Sequence, residues 1–307
     1  MSYRKGHLFT PENQINRDYS QPQNNQIHYN EISADDLSSL WHKTLEKGMH
    51  GICFSIYEDG QKPGSIITAS QVEKRIKIIQ PYAKWVRSFS CIEGNEHVPK
   101  IAKQYGMKTL VGAWLSDDLA LNEKEIEALI AMANDGLVDI AAVGNEVMYR
   151  KELTEEQLIS YIKRVKEAIP QVPVGYVDAY YEFTDRPHIT ELCDVILTNC
   201  YPYWEGCPIE YSFEHMRSMF ESAKNAGNGK RVIITETGWP SEGGSFKGAI
   251  ANKENAMRYF IDCQNWCNQN GIENFYFSSF DESWKVGPEG DVGAYWGLWD
   301  KHEKLKY

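Results

Sequence analysis

No apolar run in the 307-residue chain approaches the ~20 residues needed to cross a bilayer, so no membrane-spanning helix is expected. No stripe of lysine and arginine interrupts the surplus of 43 acidic over 32 basic side chains, and the formal net charge is −11. Such a field repels a phosphate backbone, which excludes nucleic acid as the natural partner and leaves room for an uncharged substrate. Paired CxxC motifs are missing. The cysteines number seven, an odd count, and Cys53, Cys91 and Cys200 fall in apolar runs. Cys263 and Cys267 stand four apart on a helical pattern, where a bridge would distort the backbone. All are read as reduced, Cys200 and Cys207 being the one pair near enough in sequence to bridge, and this points to a reducing compartment.

Residues 1–30 lack the apolar core of a secretory signal, so a cytoplasmic location is expected, with export open if a leader has been removed. This Asn/Gln-rich stretch reads as an extended arm, and residues 1–48 as an N-terminal extension packing on or near the main domain. No glycine-rich phosphate loop follows any apolar run, which argues against a nucleotide-binding sheet. None of the eight histidines lies at the C-terminal end of an apolar run; His50 stands at the start of one. Metal chemistry therefore has little to build on, and neither metal nor cofactor is expected. Oligomeric state is not written in the sequence.

What is present is regular. From residue 49 onward, eight short apolar or aromatic runs alternate with charged segments of helical period. The runs are 49–57, 84–91, 108–115, 138–147, 173–179, 194–203, 231–239 and 274–282. Helices are expected over 70–80, 96–105, 122–134, 154–168, 211–226 and 250–270. Thr154 with Gln157 forms a capping box, Pro170 stops that helix, and Gly106, Gly136, Gly227 and Gly271 stand where helices close. Strands this continuously apolar are buried on both faces, and eight of them with intervening helices predict a single α/β domain, a (β/α)8 TIM barrel over 49–307.

In such a barrel the chemistry sits at the C-terminal strand ends. Run four ends in Asn145-Glu146, run seven in Thr235-Glu236-Thr237-Gly238-Trp239, and run eight leads into Asp281-Glu282-Ser283-Trp284-Lys285. A carboxylate after an apolar strand is costly unless solvated or functional. One such glutamate is commonly a solvated rim residue; two on strands nearly opposite can converge over the centre. Retaining glycosidases need that pair, one carboxylate to attack the anomeric carbon and one to protonate the departing oxygen. Trp114, Tyr201, Tyr203, Trp204, Trp239 and Trp284 lie at or just beyond strand ends. Each alone reads as packing; six together suggest a groove for sugar rings, since Tyr and Trp combine stacking area with a polar handle.

The ordered set Val-Gly-Asn-Glu-Val (143–147), Asn-Cys-Tyr-Pro-Tyr (199–203), Thr-Glu-Thr-Gly-Trp-Pro-Ser (235–241), Phe-Asp-Glu-Ser-Trp-Lys (280–285) and Trp-Gly-Leu (296–298) resembles family 17 glycoside hydrolases. These are β-1,3-glucanases and related glucanosyltransferases, and the likeness spans roughly residues 49–300. The resemblance implies a retaining hydrolase of laminarin-type β-1,3-glucan, with a glucanosyltransferase or a non-catalytic glucan-binding barrel as alternatives. It implies Glu146 as acid/base and Glu236 as nucleophile. Arg87 would keep Glu236 charged, Asn145 would bond the sugar 2-hydroxyl, and Glu282 with Lys285 would form a charged pair near the acid/base. The chain departs from the family where Arg87-Ser88-Phe89 replaces Arg-x-Tyr, and where the first strand reads Cys53-Phe54-Ser55-Ile56-Tyr57. Tyr57 is the candidate substitute for the missing hydroxyl.

Overall fold

A computed structural model describes Phe9, Ile27 and residues 29–287 and 289–307. The expected arm up to Asn30 lies mostly outside these. Eight parallel strands close into a barrel in sequence order: β1 (Met49–Cys53), β2 (Ala83–Ser88), β3 (Lys108–Ala113), β4 (Ile140–Asn145), β5 (Val174–Ala179), β6 (Val195–Asn199), β7 (Arg231–Thr237) and β8 (Asn274–Tyr276). Around it lie α1 (Ala34–Glu46), α2 (Ala69–Ile79), α3 (His97–Gln104), α4 (Leu119–Asn134), α5 (Val147–Arg150), α6 (Glu155–Ala168), α7 (Glu182–Asp185), α8 (Pro187–Leu192), α9 (Ile209–Ala226) and α10 (Lys253–Asn270). The TIM barrel expected from the alternation of apolar runs is the fold observed.

Most of the ladders stop short of the apolar runs. Run one extends to Tyr57, yet β1 ends at Cys53, and Phe54 makes its last ladder-like bond, donating N–H to the Arg87 carbonyl at 2.9 Å. Run eight extends to Glu282, yet β8 ends at Tyr276, and its continuation pairs with the C-terminal segment: Leu298 N–H donates to Ser278 O and Asp281 N–H to Trp299 O, both at 2.9 Å. The surplus apolar residues are rim loops, buried by neighbouring loops instead of by a ladder.

Residues 34–46 add a helix to the outer layer. Ser33 caps α1 by accepting the Asp36 N–H, and Trp41 is fully buried, its ring 5.4 Å from Phe260 on α10 and 4.9 Å from Tyr307. The chain after β8 forms two short 3-10 turns, 283–286 and 291–294. The flank beside α10 is therefore covered by a helix that precedes the barrel. The capping box at Thr154 and Gln157 is present, and Gly271 ends α10 with φ +64°; Gly227 ends α9 at φ −68°, an ordinary helical value.

The two ends of the barrel differ in kind. At the N-terminal end His50 stacks on Trp85, and Glu273 accepts from both Arg231 and His50, a plug with a structural character. At the C-terminal end the register shifts between Ala142 and Asn145, between Thr198 and Asn199, and between Ile234 and Thr237. Such irregularities re-aim side chains, and these flank the two candidate glutamates.

Trp41→Ala removes a fully buried indole that joins α1, α10 and the C-terminus. It should cost about 3–5 kcal/mol of stability, read as a lowered urea midpoint, because aromatic truncation in a packed core leaves a cavity.

Candidate active site

Glu146 follows β4 in a left-handed conformation, φ +52° and ψ +27°, preceded by Gly144 at φ +86°. Few non-glycine residues adopt this backbone, and where they do the surrounding structure must hold it. Here the Glu146 N–H donates to Val177 O at 2.8 Å, and the chain turns at once into α5. The turn lifts the Glu146 carboxylate over the barrel mouth, where the Asn199 amide at the end of β6 donates to it at 3.0 Å. Thr235 donates to the Asn199 carbonyl oxygen at 2.9 Å, which fixes which way that amide points. Thr235 adjoins Glu236 in sequence, so hydrogen bonds through Asn199 tie Glu146 to the strand that carries Glu236.

Glu236 sits inside β7, buried, and its two oxygens are held separately. Arg87 donates to Oε1 at 2.7 Å and the Tyr201 hydroxyl donates to Oε2 at 2.8 Å. Arg87 is itself almost wholly buried and also donates to Asn145 Oδ1 at 2.7 Å and to the Thr235 carbonyl at 3.1 Å. Burial works against its charge, but Glu236 and the Cys53 sulfur together outweigh it, and the net shift of the guanidinium is upward. With its carbonyl oxygen engaged, Asn145 has its amide N–H left to offer a ligand.

Both glutamates open onto one cleft of about 420 Å³. Its walls come from β1, β2, β3 and β8 and their loops, with Tyr57, Phe89, Trp114, Phe277 and Trp284 as its rings. Phe89, which stands where the resemblance expects a tyrosine, lies against the Arg87 guanidinium at 4.2 Å. Tyr57 reaches the cleft because buried Arg75 donates to the Ser55 and Tyr57 carbonyls, at 3.1 and 2.7 Å, and so ties down the loop after β1. Trp114 is backed by Arg150 at 4.5 Å, which in turn donates to the carbonyls of Asn145 and of Leu115.

Glu282 and Lys285 form an ion pair at 2.6 Å on the cleft wall. Burial lowers the Lys285 pKa, but Glu282, Glu289 and Glu236 raise it further, and the net shift is upward. Glu289, further along the same loop, also lines the cleft. Its carboxyl is pushed up to about 7, first by burial and then by Glu282, Glu236 and Glu146, against the pull of Lys285. Asp178 beneath Glu146 is pushed to about 7 as well, by burial and by the Glu146 and Glu182 charges; Tyr176 and the Ala179 N–H donate to it.

The candidate residues divide clearly. Glu146, Glu236, Asn145, Tyr57, Trp114, Trp284, Glu282 and Lys285 line the cleft, and Arg87 and Tyr201 stand directly behind Glu236. Two members of the expected aromatic rim do not offer faces to a ligand. Tyr203 and Trp239 are each 1% exposed, with Tyr203 donating to Gly244 O and Trp239 to Ile250 O. They pack edge-to-face on each other, and loops 240–250 cover them, so they support the rim from below. Trp204 is half-buried against Tyr203 and Trp296. Sequence reasoning passed over Asn199 as a site residue, and passed over Glu125, Arg150 and Glu289 altogether. An amide ending an apolar strand was a usable signal for Asn199. The others are brought in by helices and loops whose approach to the cleft has no local signature.

A closed barrel with two strand-end glutamates over an aromatic cleft, one of them gripped by an arginine and a tyrosine, defines a glycoside hydrolase. The chain matches the BtgE/BtgC glycoside hydrolase domain over residues 51–297 and belongs to that group within glycoside hydrolase family 17. A glucan 1,3-β-glucosidase of Arthroderma benhamiae is 27% identical over 259 residues, 76% of this chain and 82% of that protein. One from Candida albicans is 26% identical over 275 residues, 80% and 87% respectively. The solved family 17 β-1,3-glucanosyltransferase of Rhizomucor miehei superposes with a TM-score of 0.77 at 29% identity, covering 85% of this chain and 96% of that one. An active-site mutant of that enzyme has been solved with laminaritriose.

Several buried acids have raised pKa values: Glu125, Asp178 and Glu289 near 7, Asp262 and Asp281 near 6. For each, folding favours the neutral form. That contribution is fully present below the ordinary carboxylate range and is lost as pH rises through the folded value. Glu273, lowered to about 2, contributes evenly across this window. The melting temperature should therefore be higher at pH 5 than at pH 8 by calorimetry, and a flat or opposite trend would contradict the burial of these groups.

Proposed function

We propose that the protein is a retaining hydrolase of laminarin-type β-1,3-glucan, with Glu236 as nucleophile and Glu146 as acid/base. The observation that carries the reading is the unequal setting of two carboxylates in one cleft. Glu236 is gripped by a guanidinium and a phenol hydroxyl, which fix both of its oxygens for attack. Glu146 stands among carboxyl groups, Asp178 and Glu289, whose pKa values it raises. A proton is held and passed more readily among carboxyls than beside a guanidinium.

In the first step a Glu236 oxygen bonds to the anomeric carbon while the glycosidic C–O bond breaks, and Glu146 gives its proton to the departing oxygen. The product is a glycosyl ester on Glu236 and a free glucan end. Glu146, now ionised, takes a proton from water, whose oxygen attacks the same carbon and releases Glu236. The Asn145 N–H donates to the sugar 2-hydroxyl, a bond that strengthens as charge develops on the ring. Lys285 offsets part of the carboxylate charge. The glucan specificity is supported by the names of the relatives and by the aromatic walls of the cleft.

The likeness to a glucanosyltransferase favours a second reading, in which a sugar hydroxyl replaces water in the second step. A single laminari-oligosaccharide separates the two: products longer than the input at high substrate concentration mean transfer, and their absence means hydrolysis.

Wild type should release products first in the β configuration, seen by proton NMR before mutarotation; early α-anomers would overturn retention. Glu236→Gln should abolish turnover on all substrates. Glu146→Gln should lose on the order of 10²–10⁴-fold on glucan and much less on an aryl β-glucoside, whose leaving group needs little protonation. Equal losses on both would remove Glu146 from the acid role.

A further inference from the structure

The cleft that holds the two glutamates is also lined by the loop that follows β2. Between β2 and α3 the chain passes through Glu93 at φ +53° and Gly94 at φ +91°. A Cβ on Gly94 would stand 2.4 Å from Ile67 Cβ, so the path of this loop depends on a glycine there. Glu93 meanwhile takes a left-handed conformation that non-glycine residues rarely adopt. Its side chain lines the cleft, is exposed, and makes no ion pair among the described residues. Beside it stand the Asn95 side chain and the hydroxyl of Tyr57, whose pKa is pushed up to about 12 by burial and by Glu282 and Glu93. Tyr57 therefore remains a donor. Its ring meets Trp284 edge-to-face at 5.7 Å, which gives this end of the cleft an apolar surface next to its polar groups.

Glu125 of α4 fixes this wall from behind. It is 2% exposed, and accepts from Ser90 Oγ at 2.5 Å, from the Cys91 N–H at 2.8 Å and from the Trp114 N–H at 3.3 Å. One buried carboxylate thus ties the loop after β2 to the end of β3, and sets Glu93 and Trp114 relative to each other.

We propose that the β2–α3 loop forms a distal sugar subsite in which Glu93 accepts hydrogen bonds from the hydroxyls of a neutral hexose, with Glu125 as its positioning residue. A carboxylate is acceptor-only, with two oxygens, so it selects a ligand that presents hydroxyl donors. Glu93, which has no ion pair among the described residues, repels an anionic sugar, so the ligand is a neutral glucan and not a uronic acid chain. This rests on the glucanase reading above, and extends it from the bond that is cut to the length of chain that is recognised.

The test is kcat/KM for wild type, Glu93→Gln, Glu93→Asn and Glu125→Gln on laminari-oligosaccharides from disaccharide to hexasaccharide. Asparagine tolerates the left-handed backbone, so Glu93→Asn guards against a loss due only to refolding of the loop. Both Glu93 variants should lose about tenfold on the longest substrates and progressively less as the chain shortens. Glu125→Gln should show the same length dependence, with the loss in KM and not in kcat. Equal loss at every length, or no loss at any, overturns the subsite while leaving the glucanase reading standing. Failure of the wild type to cleave any of the series overturns that reading, and the subsite with it.

Discussion

The site depends on one buried guanidinium. Arg87 reaches Glu236 on β7, Asn145 on β4 and the Thr235 carbonyl, and its Nη1 lies 3.6 Å from the Cys53 sulfur at the end of β1. Removing a charge of this kind from water costs several kcal/mol, and only well-aligned partners offset it. Glu236 has the guanidinium on one of its oxygens, and Arg87 needs a carboxylate to be buried at all. Neither can be lost alone without leaving an uncompensated charge in the barrel mouth. The same contacts that satisfy Arg87 also orient Asn145, while burial pushes the Cys53 thiol up to about 12 against the pull of the guanidinium.

A second layer of restraint surrounds this centre. Asn199 fixes Glu146, Thr235 fixes Asn199, Arg75 ties down the loop bearing Tyr57, Arg150 backs Trp114, and Glu125 holds the loop after β2. Each restraint joins a strand end to a segment from a different strand or helix. This is how a barrel whose strands are only a few residues long can present side chains with fixed geometry: the positions are set by cross-links over the rim, not by the ladder beneath it. Register irregularities beside Asn145, Asn199 and Glu236 belong to the same arrangement, since a regular strand would aim these residues along the barrel wall.

The arrangement carries a stability cost. Asp178, Glu125 and Glu289 are carboxyls placed where burial disfavours their charge, and all three border the cleft or the residues that shape it. Away from the cleft Lys306 and Asp281 form a buried ion pair, while Lys77 with Glu73 and Arg164 with Glu123 are solvated pairs. Such exposed pairs contribute little. A cleft bordered by such carboxyls at one end of the fold, with a well-packed aromatic plug at the other, is what division between function and stability predicts for a barrel.

The sequence by itself determined the barrel and its chemical end. Continuously apolar runs separated by helical periods have few alternative architectures, and polar residues that close such runs must be solvated or used. Both arguments are local, so the strand-end carboxylates Glu146 and Glu236 were legible without coordinates, while the roles of Asn145 and of the Glu282/Lys285 pair came with the resemblance. The resemblance added Arg87, whose partners lie 58 and 149 residues away. Only the tertiary structure decided which aromatic residues face the cleft. Tyr203 and Trp239 follow strand ends just as Trp114 and Trp284 do, but loops 240–250 fold over the first two and leave the second two open. It alone decided that residues 34–46 complete the outer layer, and that Glu125 reaches the cleft from a helix. Contacts across the rim join segments distant in sequence, and nothing in local spacing records which of them will meet.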